Sequence, residues 1–148
     1  MKKLLSILGL TTSLLFLFSC HETKQLQGRE DELLQSKWMV SEIDGELIAP
    51  SNDAKQANLL LANGRFSGST GCNSMSGTYT LSGDHDIKFG AAMMTRMACA
   101  GPNTEAKFMA AFNRINKWEI SGDILMLFEN KTKLLTFQGQ PIKGTPVN

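Results

Sequence analysis

Cysteine is scarce in this chain. There are three in 148 residues, Cys20, Cys72 and Cys99, and no two form the C-x-x-C pair that thiol oxidoreductases place at a helix start to lower the attacking thiol's pKa. Histidine is scarcer still, with only His21 and His85. The Asp84-His85-Asp86 triplet lies in an expected turn, and no second cluster completes a four-ligand zinc site. Serines and threonines crowd residues 67–76, but there is no G-x-S-x-G elbow, and only His85 could serve them as a base. Gly68, Gly71 and Gly77 neither open a helix nor lead to the lysine of a P-loop, so they read as backbone devices, not a phosphate cradle. No long run of one charge sign exists, and the formal net charge is only +1, so the basic footprint of a nucleic-acid binder is missing. The expectation is a protein with no catalytic residues, no metal and no cofactor.

What is present at the start is a processing signal. Lys2 and Lys3 precede the apolar run Leu4–Phe18, which is too short and too poorly flanked for a stable span and fits a secretory leader. The run ends in Leu17-Phe18-Ser19-Cys20. A leucine three residues before a cysteine, with a small residue directly before it, resembles a bacterial lipobox, and Phe18 is bulkier than that pattern prefers. Cys20 is therefore the expected lipidation site, and a lipid anchor is the expected membrane contact. His21 stands where an aspartate would favour inner-membrane retention, so the expected location is the outer membrane of the cell envelope. Residues 21–34, HETKQLQGREDELL, are polar enough to serve as a flexible tether.

Past Cys20, roughly 128 residues remain, enough for one domain with one core. Ser36–Ile43 alternates Trp38 and Val40 inward and reads as a strand. Asp44-Gly45 turns it towards Glu46–Ile48, and Asn63-Gly64 joins Asn58–Ala62 to Arg65–Ser69 as a hairpin. Further strands follow at Gly77–Leu81, Asp86–Phe89, Trp118–Ser121, Ile124–Phe128 and Lys133–Phe137. Residues 91–101 show no clear period. Phe108, Ala111, Phe112 and Ile115 recur at helical spacing, and Asn103 or Thr104 with Glu105 supplies a helix start, so a helix is expected over 104–115. About eight short strands and one helix predict a mainly β, α+β fold: a small antiparallel sheet curled into a barrel, with the helix covering one end. The boundaries expected are domain 35–138 and a loose tail 139–148.

The order Trp38, Phe66, Gly71-Cys72-Asn73, Gly77, Tyr79, Thr95-Arg96-Met97-Ala98-Cys99, Glu105, Phe108, Trp118, Gly122-Asp123 and Leu125 resembles the META domain of HslJ-type bacterial proteins. The GCN and TxMAC elements are its most specific marks. The resemblance implies a β-barrel-like domain with a helix in a cell-envelope protein, often a lipoprotein, connected with heat shock and antibiotic tolerance. It brings no established catalytic site. The function it implies is a non-enzymatic interaction or stress-protection module, expected as a monomer that meets another envelope protein. A carrier of one small apolar ligand inside the barrel is the alternative, and an enzyme using Cys72 or Cys99 is a third reading.

In an oxidising envelope Cys72 and Cys99 read as a disulfide, which would close a loop of about 28 residues and stabilise by about 3–4 kcal/mol. Two buried free thiols, or a redox or metal pair, remain as alternatives. Asn73 and Arg96 flank these cysteines. They either tie the two loops together or form, with Met75 and Met97, the rim of a binding patch. Methionines there suit either an adaptable surface or an irregular core gap.

Overall fold

Two-residue turns set the strand pairing. Asp44 and Gly45 (φ 46° and 84°) and Asn63 and Gly64 (φ 51° and 72°) adopt the left-handed pairs that match the twist of a β-hairpin. In the computed structural model, which describes residues 30–49, 56–98 and 104–142, the strands are β1 (Ser36–Ile43), β2 (Glu46–Leu47), β3 (Asn58–Ala62), β4 (Arg65–Ser69), β5 (Ser74–Ser82), β6 (Asp86–Phe89), β7 (Met93–Met94), β8 (Lys117–Ser121), β9 (Ile124–Glu129) and β10 (Thr132–Pro141). Residues 30–35 form a first helix, α1, and Thr104–Phe112 a second, α2.

Eight strands close on themselves in the order β10-β9-β8-β6-β5-β4-β3-β1, with β10 pairing back onto β1. Every pairing is antiparallel. The expected curled sheet is thus a closed antiparallel barrel, which removes the unpaired edges an open sheet would expose. The short strands β2 and β7 add to β1 and β5. Bulges between Val40 and Glu42 on β1 and between Lys133 and Leu135 on β10 bend the wall where it closes. At the second bulge Leu134 and Leu135 are both buried, which strict alternation would forbid. The seam between β6 and β8 is narrow: one pair, Asp86 with Lys117, two flanking backbone bonds, Ile87 N–H to Asn116 O and Trp118 N–H to His85 O, and the Lys117–Asp86 ion pair at 2.6 Å.

Two aromatic–glycine pairs face across the wall, Trp38 with Gly139 and Phe66 with Gly77. A Cβ at Gly139 would lie 2.9 Å from the Trp38 ring, and one at Gly77 would lie 2.6 Å from the Phe66 ring. The glycines therefore leave the space into which these rings fold. The interior is filled by Trp38, Phe66, Phe108, Phe112 and Phe137 with Leu59, Leu61, Leu125, Leu127 and Leu135.

Strand direction separates the two rims. The near rim carries α1, the turns at 63–64, 83–85 and 122–123, and the end of β10. The far rim carries 44–45, 70–73, 90–98, 113–116 and 130–131. Both ends of α2 meet the far rim, so the helix lies across that opening, as expected. Its Phe112 ring reaches Phe89 and Phe66 at 4.4 and 5.3 Å between centroids, and its Phe108 ring reaches Phe137 at 6.5 Å. Each buried phenylalanine contributes about 1.5–3 kcal/mol. At the near rim α1 buries Leu33, whose carbonyl accepts Trp38 Nε1–H at 2.9 Å.

The packed chain exceeds the expected 35–138 at both ends. Leu33 falls within the expected tether yet is fully buried, and β10 runs on to Pro141 because it pairs with Ser36. The strand expected at Gly77–Leu81 begins at Ser74, and the connection at 91–101 contains β7, which continues along the flank of β5 that β6 leaves free. The cysteine at 20, most of the tether, Cys99 and the tail from 143 lie outside the described residues.

Steric closeness gives a test of the wall. A Cβ at Gly68 would stand 2.1 Å from the Asn58 carbonyl oxygen, a backbone atom fixed in β3. At Gly77 the nearest backbone atom to an added Cβ is the Ala91 carbonyl oxygen at 2.9 Å, a less severe approach, and Gly77→Ala should cost about 1–3 kcal/mol. Gly68→Ala should cost more than Gly77→Ala. Urea unfolding followed by tryptophan fluorescence reads both, and the reverse ranking would refute this account.

Candidate functional site

The loop between β4 and β5 and the segment after β7 meet at the far rim, and one side chain joins them. Asn73 is 4% exposed. Its Oδ1 accepts Thr95 Oγ1–H at 2.8 Å and Met97 N–H at 2.7 Å. Its Nδ2 donates to both Glu105 carboxylate oxygens, at 3.1 and 3.0 Å. The amide's two lone pairs and its donor group are thus used at once. An aspartate could not replace it, because its carboxylate would face that of Glu105.

The neighbours complete the knot. Asn73 N–H donates to Glu105 Oε2 and to Thr70 Oγ1, each at 3.1 Å. The hydroxyl of the fully buried Thr70 donates to Glu105 Oε2, and Thr70 N–H donates to Asn73 O at 2.9 Å. Thr95 Oγ1 accepts Ser74 N–H at 3.1 Å. Gly71 takes φ 95° to turn the loop back. These bonds lower the Glu105 pKa from its ordinary value: first the Thr70 hydroxyl, then, against partial desolvation, the side chain and backbone of Asn73. The first turn of α2 adds a favourable dipole for the anion.

Beside the knot lies an open cleft of about 640 Å³, lined by Asn73, Ala92, Met94, Thr95, Arg96, Met97, Ala98 and Glu105. The expected rim residues divide between floor, surface and core. Asn73 is the buried floor. Arg96 and Met97 are exposed on the strap 93–98. Met75 is only 2% exposed and points into the barrel from β5, so it fills core space and does not belong to the rim. Cys72 Sγ lies 3.7 Å from Met97 O, beside the same strap. His85 is used structurally, with Nδ1 at 3.0 Å from Trp118 O and its ring beside Trp118, while Asp86 pairs with Lys117. Among the described residues, no group of three or more His, Cys, Asp or Glu could hold a metal ion.

Sequence reasoning pointed to Asn73 as a rim candidate and carried Thr95 only as part of the TxMAC mark. It read Glu105 only as a first-turn helix residue and passed over Thr70 among many hydroxyls. Glu105 also stood in the order of residues that resembles the META domain, which gives position without partner.

The knot makes stability depend on pH with a defined sign. A carboxylate with a depressed folded-state pKa contributes stability that is fully present above its unfolded value, about 4.3, and is lost as pH falls through the folded value. Glu105→Gln should flatten that loss between about pH 5 and 3 in urea melts. Asn73→Asp should destabilise more at pH 7 than at pH 4, because the two carboxylates repel only when both are ionised. An unchanged acid limb in Glu105→Gln would show that the pair carries no such linkage.

No curated protein matches this chain. A solved structure from Burkholderia xenovorans, determined by NMR, is 27% identical, covering 74% of this chain and 85% of its own, with a TM-score of 0.57. Another NMR structure is 21% identical over 73% of this chain and 92% of its own, also with a TM-score of 0.57. The crystal structure of a DUF4847 family protein from Bacteroides vulgatus is 17% identical over 77% and 99%, again with a TM-score of 0.57. The last two share the fold. The META domain family model matches residues 31–142, which takes in the whole barrel, both GCN and TxMAC marks and the Glu105 helix: the chain belongs to the META domain family.

Proposed function

We propose that this chain is a lipid-anchored cell-envelope protein whose META domain acts as a non-enzymatic interaction or stress-protection module. The observation that carries the reading is how the far rim spends its polar groups. Asn73, Thr70, Thr95 and Glu105 bond to one another, so they are committed to holding the strap and not to activating a nucleophile or water. Outward from that floor stand Met93, Arg96 and Met97 on a braced backbone. A pinned loop on a rigid scaffold is the usual way to present a recognition surface.

The anchoring part rests on Lys2, Lys3, the apolar run and the lipobox-like end at Cys20. Among the described residues, no helix is long and apolar enough to cross a membrane. The outer membrane is the proposed address, from His21 after Cys20. A Cys72–Cys99 disulfide belongs to the same proposal. It is supported by the oxidising compartment and by the strap running beside Cys72 towards residue 99. The carrier reading gains no support, since Phe108 and Phe112 occupy the barrel interior.

Two measurements test this. Alkylation and intact mass should find no free thiol before reduction and two after. Two thiols that alkylate without unfolding would remove the disulfide and bring thiol chemistry forward. Cross-linking in the host envelope, with and without heat stress, should recover a specific partner. No partner together with no envelope-stress phenotype in a deletion strain would overturn the module reading.

A further inference from the structure

The strap 93–98 combines exposed apolar groups with an uncompensated cation. Met93 and Met97 are 64% and 56% exposed. Among the described residues Lys107, Arg114, Lys117 and Lys133 pair with carboxylates; Lys37, Arg65, Lys88, Lys131 and Arg96 do not, and of these only Arg96 lines the cleft, where it is exposed. Glu105 lies in the same cleft, but Thr70 and Asn73 take up its oxygens. The cleft therefore offers a guanidinium fork suited to an incoming carboxylate, flanked by flexible thioethers that adapt to varied apolar shapes. The backbone under them does not need to be ordered on binding, because Asn73 Oδ1 already holds Met97 N–H.

A guanidinium among methionines could also meet an anionic lipid surface. Topology favours a peptide instead. The chain enters the barrel at α1 on the near rim, where Ile142 N–H also bonds Gln35 O, and the strap lies on the far rim, across the barrel from the anchored end.

We propose that the strap Met93–Ala98 docks a peptide segment of another protein that carries a carboxylate beside an apolar side chain. The carboxylate sits on Arg96 and the apolar group lies between Met93, Met97 and the cleft wall. This rests on the interaction-module reading and names the chemistry of its partner.

The test uses the processed full chain isolated from its host with ¹³C-methyl methionine. The probes are acetyl-Leu-Phe-Asp-Leu-amide, its Asn isostere, acetyl-Leu-Phe-Leu with a free C-terminus, and vesicles containing phosphatidylglycerol. The Met93 and Met97 methyl signals should shift with one or both acidic peptides, and which one responds tells a side-chain carboxylate from a terminal one. The buried Met75 signal should stay in place. Arg96→Gln should weaken acidic-peptide binding about tenfold or more and leave binding of the isostere unchanged, with its Met75 signal reporting an intact fold. Binding of the Asn isostere as tight as that of both acidic peptides, no shift with either acidic peptide at millimolar concentration, or a response to vesicles alone would overturn the proposal. Envelope cross-linking with the wild type and Arg96→Gln separates the two readings. A partner captured equally by both removes the strap and leaves the module, and a partner captured by neither removes the module itself.

Discussion

The rim of this barrel depends on one amide. Asn73 must donate to a carboxylate and accept from a hydroxyl and a backbone N–H in the same place, and among short side chains only asparagine does so from separate donor and acceptor atoms. A buried network of this kind is stabilising only when every member is satisfied. Here the β4–β5 loop, the strap after β7 and the start of α2 are the three pieces satisfied together. Displacing the strap or the start of α2 would leave the buried Asn73 and Thr70 of the loop with bonds unmade.

That constraint reaches the core. Glu105 sits one turn before Phe108 and two before Phe112 on α2, so fixing the carboxylate sets the axial position at which these rings enter the barrel. The rings then meet Phe66, Phe89 and Phe137 on three different strands. Polar and apolar parts divide the work. The rings supply non-directional burial, and the knot supplies the register that burial alone does not specify. At the opposite end α1 does the simpler half of this, with Leu33 buried and a single indole hydrogen bond.

The same division explains why the exposed strap is well placed for recognition. Residues 93–98 have little regular pairing of their own, only Met93 and Met94 with β5. Their order comes from side-chain bonds beneath them, which leaves Met93, Arg96 and Met97 free to face outward on a backbone that is already fixed.

Several elements were legible because their signals are local. Asp44-Gly45 and Asn63-Gly64 fix their own turns by φ, alternation at Trp38 and Val40 fixes β1, and the spacing of Phe108, Ala111 and Phe112 fixes the inward face of α2. The family marks located Asn73 and the strap. What the sequence could not supply was long-range: that β10 closes on β1, that Leu33 in a charged stretch is core, that Met75 points inward while Met97 points out, and that Glu105 answers Asn73 across 32 residues. Period and turn chemistry are properties of neighbouring residues, so they survive in a linear reading. Closure, burial and hydrogen-bond partnership depend on which distant strands share a wall, and only the folded barrel decides that.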